Sequence, residues 1–436
     1  MIGNHAGPSR TSWHHYFIYL VILGLLYHFV RTFDKPSFNN LPSTPHSTSV
    51  RIPSPIPPLP AQVNERKDAW IRQSKWINDN YSQQEAAAVA VARDVADRMF
   101  AKFQIEGIPG SPITTREEAE RVRNIVNCYT RGAWIYDNTP RKLIKHFQDP
   151  IFGKCEKRYR KQLNENSSSE WQMYDAAKYI WHTNDTCPLM PVDREHWCKM
   201  LNGRHTLIVG DELQYQLHDL LLDTFRDGPT VCYGTLSCKD HTLCPATSLY
   251  KDARIRYVRN DILSNGRKNP RLEGGHPSVE IVEQPWIANS VIKYYGVVIM
   301  NRGAHYVPDE DYRKTLAESL ADVRKNYPNK LLIFRSTYPG HLDCDSATAP
   351  YAQPLTAADL QDAPYHWQDF ARQNAIAREL VEKAGGIFLD VTHMMSMRPD
   401  GHVGGKDCWR YCIPGPMDVW SVLLYNIFRL VEGAPN

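Results

Sequence analysis

Two short segments gather side chains able to do chemistry. The first, Gly210-Asp211-Glu212-Leu213, follows the strand-like run Thr206-Leu207-Ile208-Val209, and the second runs Asp407-Cys-Trp-Arg410-Tyr-Cys412 near the C-terminus. Between them in sequence stand Asn301, Gly303 and His305 in NRGAH, Arg335 in FRS, His341 in YPGH and His402 in RPDGH. Acyl transfer through serine needs a hydroxyl, a base that takes its proton and donors aimed at the developing oxyanion. No serine or threonine lies between Leu207 and Asp223, so the turn offers no hydroxyl. A carboxylate nucleophile at Glu212 would form a mixed anhydride, and an arginine at position 410 stays protonated and cannot serve as the base.

The elements around these residues alternate. Short apolar, partly β-branched runs at Leu207 to Val209, Ile255 to Val258, Val297 to Met300, Leu331 to Phe334 and Ile387 to Val391 read as strands. Helix-like stretches follow or separate them at Leu213 to Phe225, Asp309 to Asn326, His366 to Ala384 and Met417 to Val431. That alternation predicts an α/β fold with a mainly parallel sheet covered on both faces, and functional residues on loops at the C-terminal ends of strands. Glu212, Asn301 and Arg335 each fall at such an end. No internal repeat is present.

Five ordered blocks carry a resemblance. Cys128, Gly132 to Asp137, Cys187-Pro188 and Cys198 precede the GDE turn; VVIMNRGAHY, LLIFRSTYPGH, LDVT, RPDGH and DCxxxCxPGxxDxWxxLL follow it in order. From about Cys128 to the C-terminus the chain resembles the PC-esterase group of the SGNH hydrolase superfamily. That group includes the trichome-birefringence-like polysaccharide O-acetyltransferases and a sialate O-acetyltransferase. The resemblance implies a three-layer α/β/α SGNH-like domain. Glu212 then stands where the family has its nucleophilic serine, and Arg410 where it has the histidine of Asp-x-x-His. Gly210, Asp211 and Asp407 match the family, and Asn301 and Gly303 match the block that supplies an oxyanion amide.

Both working residues of a serine esterase are thus replaced while their frame persists. Removing either member of such a pair costs about 10⁶ in turnover. Because serine and histidine meet in the parent arrangement, Glu212 and Arg410 are expected to meet as an ion pair that fills the former site. His305, His341 and His402 offer an alternative, a relocated base, against which stands a structural or substrate-contacting role for each. Arg335 reads equally as a contact for a sugar or carboxylate and as a tether for backbone carbonyls.

Composition bounds the setting. The net charge is +3, from 51 basic and 48 acidic residues, with no long basic tract, so nucleic acid is excluded as a partner. The run YFIYLVILGLLYHFV, counted from Trp13 to Val30, would span about 27 Å as a helix, enough for a thin bilayer. No small-x-small cleavage site follows it, which favours an uncleaved anchor over a signal peptide. Ten cysteines and sequons at Asn80, Asn166 and Asn184 fit an oxidising lumen. Cys232, Cys238 and Cys244 with His241 could suggest zinc, but disulfides are the better reading there; no metal and no cofactor are expected, and pairing does not follow from spacing.

The resulting organisation is a tail (1–12), a transmembrane anchor (13–30) and a Pro/Ser-rich stalk (31–63). A helical stem region (64–127), a Cys-rich lead-in (128–204) and the SGNH-like domain (205–436) complete it. The expected protein is a single-pass type II membrane protein of the Golgi or another secretory compartment, with its domain in the lumen. Its function is a glycan-binding or auxiliary pseudoenzyme, with a glycan and an active relative as partners. The alternatives are an active polysaccharide O-acetyltransferase with a non-standard nucleophile and a structural partner with no glycan site.

Overall fold

A computed structural model describes residues 83–432 apart from 142, 145–154, 156–173, 227–236, 267, 274–275, 289, 343, 362 and 406. The expected anchor, the stalk and the sequons at Asn80 and Asn166 lie outside the described residues. Among the described residues no helix is long and apolar enough to cross a membrane. In chain order the elements are α1 (Gln83–Phe100), α2 (Arg116–Tyr129), β1 (Gly132–Tyr136), β2 (Tyr179–Thr183), α3 (Arg194–Leu201), β3 (His205–Gly210) and α4 (Glu212–Phe225). They continue with β4 (Ser237–Cys244), β5 (Ala253–Arg259), β6 (Lys268–Glu273), β7 (His276–Glu283), β8 (Tyr295–Met300), α5 (Asp309–Asn326) and β9 (Leu331–Arg335). The last are α6 (Phe370–Lys383), β10 (Ile387–Leu389), β11 (His402–Gly404), β12 (Asp407–Tyr411) and α7 (Asp418–Glu432).

Alternation along the strands builds the layers. The six-stranded sheet runs β10-β9-β8-β3-β5-β4 and is parallel except for the edge pair β4–β5. Ile208, Tyr257, Ile299 and Ile333 face one core with Leu220 of α4 and Leu424 of α7. Their neighbours Val209, Val258, Val298 and Leu332 face the other core with Leu316 of α5 and Leu380 of α6. Since successive strand residues point to opposite faces, continuous apolar runs are what a doubly covered sheet requires. The five expected strands are the five parallel ones, and the antiparallel edge β4 is added to them.

The stretch assigned above to a helical stem is part of these layers from α1 onward. Ala92, Ala96 and Phe100, four residues apart, sit in the second core. Outside them Arg93 makes a two-point bond to Glu379 of α6, with Nε and Nη2 at 3.1 and 3.0 Å from its carboxylate oxygens. Lys383 pairs with Asp97 on the same flank. Helix α2 begins with a capping box between Thr115 and Glu118 and buries Ala119, Val122 and Val126 against the first core.

The Cys-rich lead-in is clamped on by covalent and polar contacts. Disulfides join Cys128 to Cys187, Cys198 to Cys244, Cys155 to Cys412 and Cys344 to Cys408. The cysteine-histidine grouping considered for zinc is thereby broken, since Cys244 is bridged to Cys198. Arg398 lies over the Trp134 ring at 4.3 Å and donates to the Ala176 carbonyl at 2.6 Å, while Trp134 donates to the Met394 carbonyl at 2.7 Å. Two bridges therefore grip β12 on either side of Arg410.

If α1 is a structural layer, Phe100→Ala leaves a cavity in the second core. We expect a loss of about 3 to 5 kcal/mol in urea unfolding. A loss below about 1 kcal/mol would instead mark α1 as a detachable appendage.

Candidate functional site

The turn from β3 into α4 is held from three sides. Gly210 has φ 151°, and a Cβ there would stand 2.8 Å from the Asn301 carbonyl oxygen, so only glycine fits. Asp211 caps α4, its Oδ1 accepting from the amides of Leu213 at 2.9 Å and Gln214 at 3.3 Å. The hydroxyl of Tyr257 donates to the carbonyls of Gly210 and Asp211 at 3.3 and 3.0 Å. The residue this turn presents is Glu212, whose side chain is 46% exposed.

Glu212 does not meet Arg410. Its Oε1 accepts from Nη1 of Arg259 at 2.9 Å. Register explains the choice: Arg259 lies opposite Gly210 on the neighbouring parallel strand, so its side chain reaches the first residue of the helix. Arg259 also forks onto Asp261, with Nε to Oδ1 at 2.8 Å and Nη2 to Oδ2 at 3.1 Å. The amide of Val282 donates to the same carboxylate at 2.6 Å, and Nε2 of His305 lies 3.5 Å from it. Burial alone would lower the guanidinium pKa of Arg259, but its bond to Asp261 and the charges of Asp261 and Glu212 raise it well above the usual value. Burial raises the carboxyl of Asp261, opposed by His305 and Arg259.

Arg410 has its own partner. Asp407 accepts from its Nε at 2.7 Å and from its backbone amide at 3.0 Å. In place of one ion pair filling the site there are two separate ones, Glu212 with Arg259 of the neighbouring strand and Arg410 with Asp407 of its own segment. Both still border one rim. One helical turn after Glu212, Gln216 donates to the Tyr411 carbonyl at 2.9 Å and thereby joins α4 to β12.

Residues 286–427 match PC-Esterase, described as a GDSL/SGNH-like acyl-esterase family found in Pmr5 and Cas1p. The chain carries a PC-esterase domain. Among its relatives, xyloglucan O-acetyltransferase 2 of Arabidopsis thaliana is 45% identical over 155 residues, covering 28% of this chain and 34% of its own. Xyloglucan O-acetyltransferase 1 of Populus trichocarpa is 25% identical over 185 residues, covering 33% of this chain and 42% of its own. Protein trichome birefringence-like 25 of Arabidopsis thaliana is 25% identical over 147 residues, 27% of this chain and 32% of its own. The matches thus span less than half of these relatives' length.

Within the PC-esterase domain the remaining expected residues are mostly buried. Asn301 is fully buried, and its Nδ2 donates to the Arg335 carbonyl and to Thr337 Oγ1, both at 2.9 Å. Both amide hydrogens are therefore spent inside the protein and not directed to an oxyanion. Gly303 is required for space, since a Cβ would come 2.5 Å from Thr337 Oγ1. Arg335 is the tether: it is 1% exposed, donates to Gln214 Oε1 at 3.0 Å and the Ser336 carbonyl at 2.7 Å, and lies over Trp420. No guanidinium face is left at the surface for a sugar.

The histidines divide. His305 is buried beside Asp261. His341 and His402 lie back to back beneath β12, with Nδ1 of one 2.7 Å from Nε2 of the other. Their outer nitrogens lie 2.9 Å from the Ser396 carbonyl and 3.2 Å from the Arg410 carbonyl. Burial pushes His341 down to about 4, which takes it out of the range of a base working near neutrality. Arg259 and Asp261 were not anticipated. Their signal is the segment RYVRND, a charged pair just past the end of an apolar strand, where parallel-sheet topology places site residues.

Two consequences can be measured. Arg259→Ala leaves Asp261 buried without its main partner and should cost about 3 to 5 kcal/mol. Glu212→Gln, at a half-exposed position, should cost no more than about 1 kcal/mol. Equal effects in urea unfolding would contradict the asymmetry. For pH, the unfolded His341 titrates near 6.5 and the folded one near 4, so the unfolded chain binds more protons between these values. Stability from this residue is present above about pH 6.5 and falls as pH drops, by about 2 kcal/mol at pH 5. A His341→Gln variant should lose that much less between pH 7 and pH 5 than the wild type does.

Proposed function

We propose that this chain is a membrane-anchored, lumenal protein of the secretory pathway that binds a glycan at a PC-esterase scaffold without serine-esterase catalysis. The observation that carries this reading is the pairing at the two replaced positions. Glu212 is held by Arg259, and Asp407, the acid that would orient a histidine, is held by Arg410. A serine route lacks its hydroxyl and its base, and its acid is occupied. The frame around the replacements is nonetheless intact, from the glycine turn to the two bridges flanking Arg410. That combination fits conversion to binding better than loss of the site.

Relatives named xyloglucan O-acetyltransferase support a polysaccharide as the bound class. Four disulfides support an oxidising compartment. The apolar run before Arg31 supports a type II anchor, in which an active relative could share the membrane and the glycan. A second reading rests on His305, which stands beside Asp261 as an oriented imidazole does in a catalytic dyad. It would make the chain an active transferase with a relocated base.

The test compares wild type with Glu212→Ser/Arg410→His for hydrolysis of an acetylated oligosaccharide. Wild type should stay at background while the double variant gains activity. Equal and robust activity in both would overturn the reading and favour the second one.

A further inference from the structure

Around Trp409, the residue before Arg410, a series of aromatic rings climbs out of the core. It starts at Phe370, 1% exposed, whose ring lies 5.8 Å from that of Trp409 with planes 21° apart. Half-buried Trp409 is fixed by its indole N–H, which donates to the Tyr338 carbonyl at 2.9 Å. Tyr365 ends the series, stacked on Trp409 at 5.6 Å and 25°, and 39% of it is exposed. Tyr306, also exposed, stands edge-on to His366 at 5.3 Å on the side of the NRGAHY block.

The backbone carrying this terminal ring is strained. Tyr365 and His366 have φ 57° and 49°, two consecutive non-glycine residues in the left-handed region. Each such residue is sterically disfavoured for an L side chain and persists where surrounding structure or function demands it. A half-exposed tyrosine contributes little to the core in return. The strain therefore holds Tyr365 at the surface, stacked on Trp409, the residue before Arg410.

We propose that Tyr365, backed by Trp409 and Phe370, is a stacking platform for one pyranose ring of a neutral, β-linked polysaccharide. This rests on the glycan binding proposed above and names the subsite and the class of sugar. A β-linked pyranose presents a flat face of axial C–H groups that fits an aromatic ring, much as another ring would continue the stack. Charge favours a neutral sugar. Arg410 is answered by Asp407, and Arg372, near His366, faces both Asp309 and Asp369, so that cluster carries one negative charge in excess. Among the described residues a uronate would meet no unanswered cation there.

The test is calorimetric titration of the whole lumenal chain with cellohexaose, xylohexaose, mannohexaose and tetragalacturonate. At least one neutral hexaose should bind, and tetragalacturonate should bind more weakly. Tyr365→Phe should bind as wild type does, and Tyr365→Ala should lose about tenfold in affinity. Tyr365→Gly separates the ring from the fold: glycine relieves the left-handed backbone, so its melting temperature should be at least that of wild type while affinity still falls. Unchanged binding in the Ala and Gly variants would overturn the platform and leave glycan binding standing elsewhere. A Gly variant that loses stability along with affinity would make Tyr365 structural, and tighter binding of tetragalacturonate would overturn the neutral class. No binding of any hexaose by wild type would sink both the platform and the function it rests on.

Discussion

Arg259 is the residue on which the site depends. It ends β5, and its guanidinium joins the first residue of α4 to Asp261 at the start of the next loop. A two-point bond to a buried carboxylate is geometrically demanding, and it fixes the guanidinium before Glu212 is considered. Glu212 then meets a cation that is already in place, and its exposure keeps the desolvation cost low. The parallel pairing of β3 with β5 sets the distance, because Gly210 and Arg259 are register partners. The carboxylate of Glu212 is thereby satisfied by the sheet itself.

Arg410 is answered by the chain around it. Arg410 lies in β12 between Cys408 and Cys412, each bridged to a distant segment, and Asp407 is three residues before it. The nearest carboxylate wins. With both charges answered locally, neither has cause to cross the rim, although Gln216 keeps α4 and β12 in contact. Glu212 and Arg410 are thus parts of two separate ion pairs.

Much of the scaffold was legible because it depends on local pattern. Runs such as YGVVIM and LLIFR are β-branched and apolar on both faces, as buried parallel strands must be, and Asp309–Asn326 has the expected helix ends. The edge strand β4 and the pair β6–β7 carry no such run; their pairing comes from partners and not from their own composition. The docking of α1 was open for a related reason, since an alanine-rich helix can serve as a stem or a layer until its partner α6 is seen.

The pairing of Glu212 illustrates the limit more sharply. Family order placed Glu212 and Arg410 together, but which cation reaches a carboxylate depends on strand register, a relation between residues 47 positions apart. Burial was equally hidden for Asn301 and Arg335. Both occupy the ends of strands where ligands are usually met, yet Thr337, Ser336 and Gln214 take Nδ2 of Asn301 and Nη1 and Nε of Arg335 inside the protein.

A structural Glu212 can be distinguished from a reactive one by trapping. The purified chain would be incubated with p-nitrophenyl acetate and quenched with hydroxylamine, which opens an acetyl-glutamyl anhydride at either carbonyl and so leaves a fraction as the glutamyl hydroxamate and the rest as acetohydroxamate and free Glu212; the peptide containing Glu212 would then be examined by mass spectrometry. Held by Arg259, Glu212 should emerge unmodified, as it does in a sample without the acetyl donor. A hydroxamate mapped to Glu212 would show that the carboxylate accepts acetyl groups and would contradict its role as a structural charge.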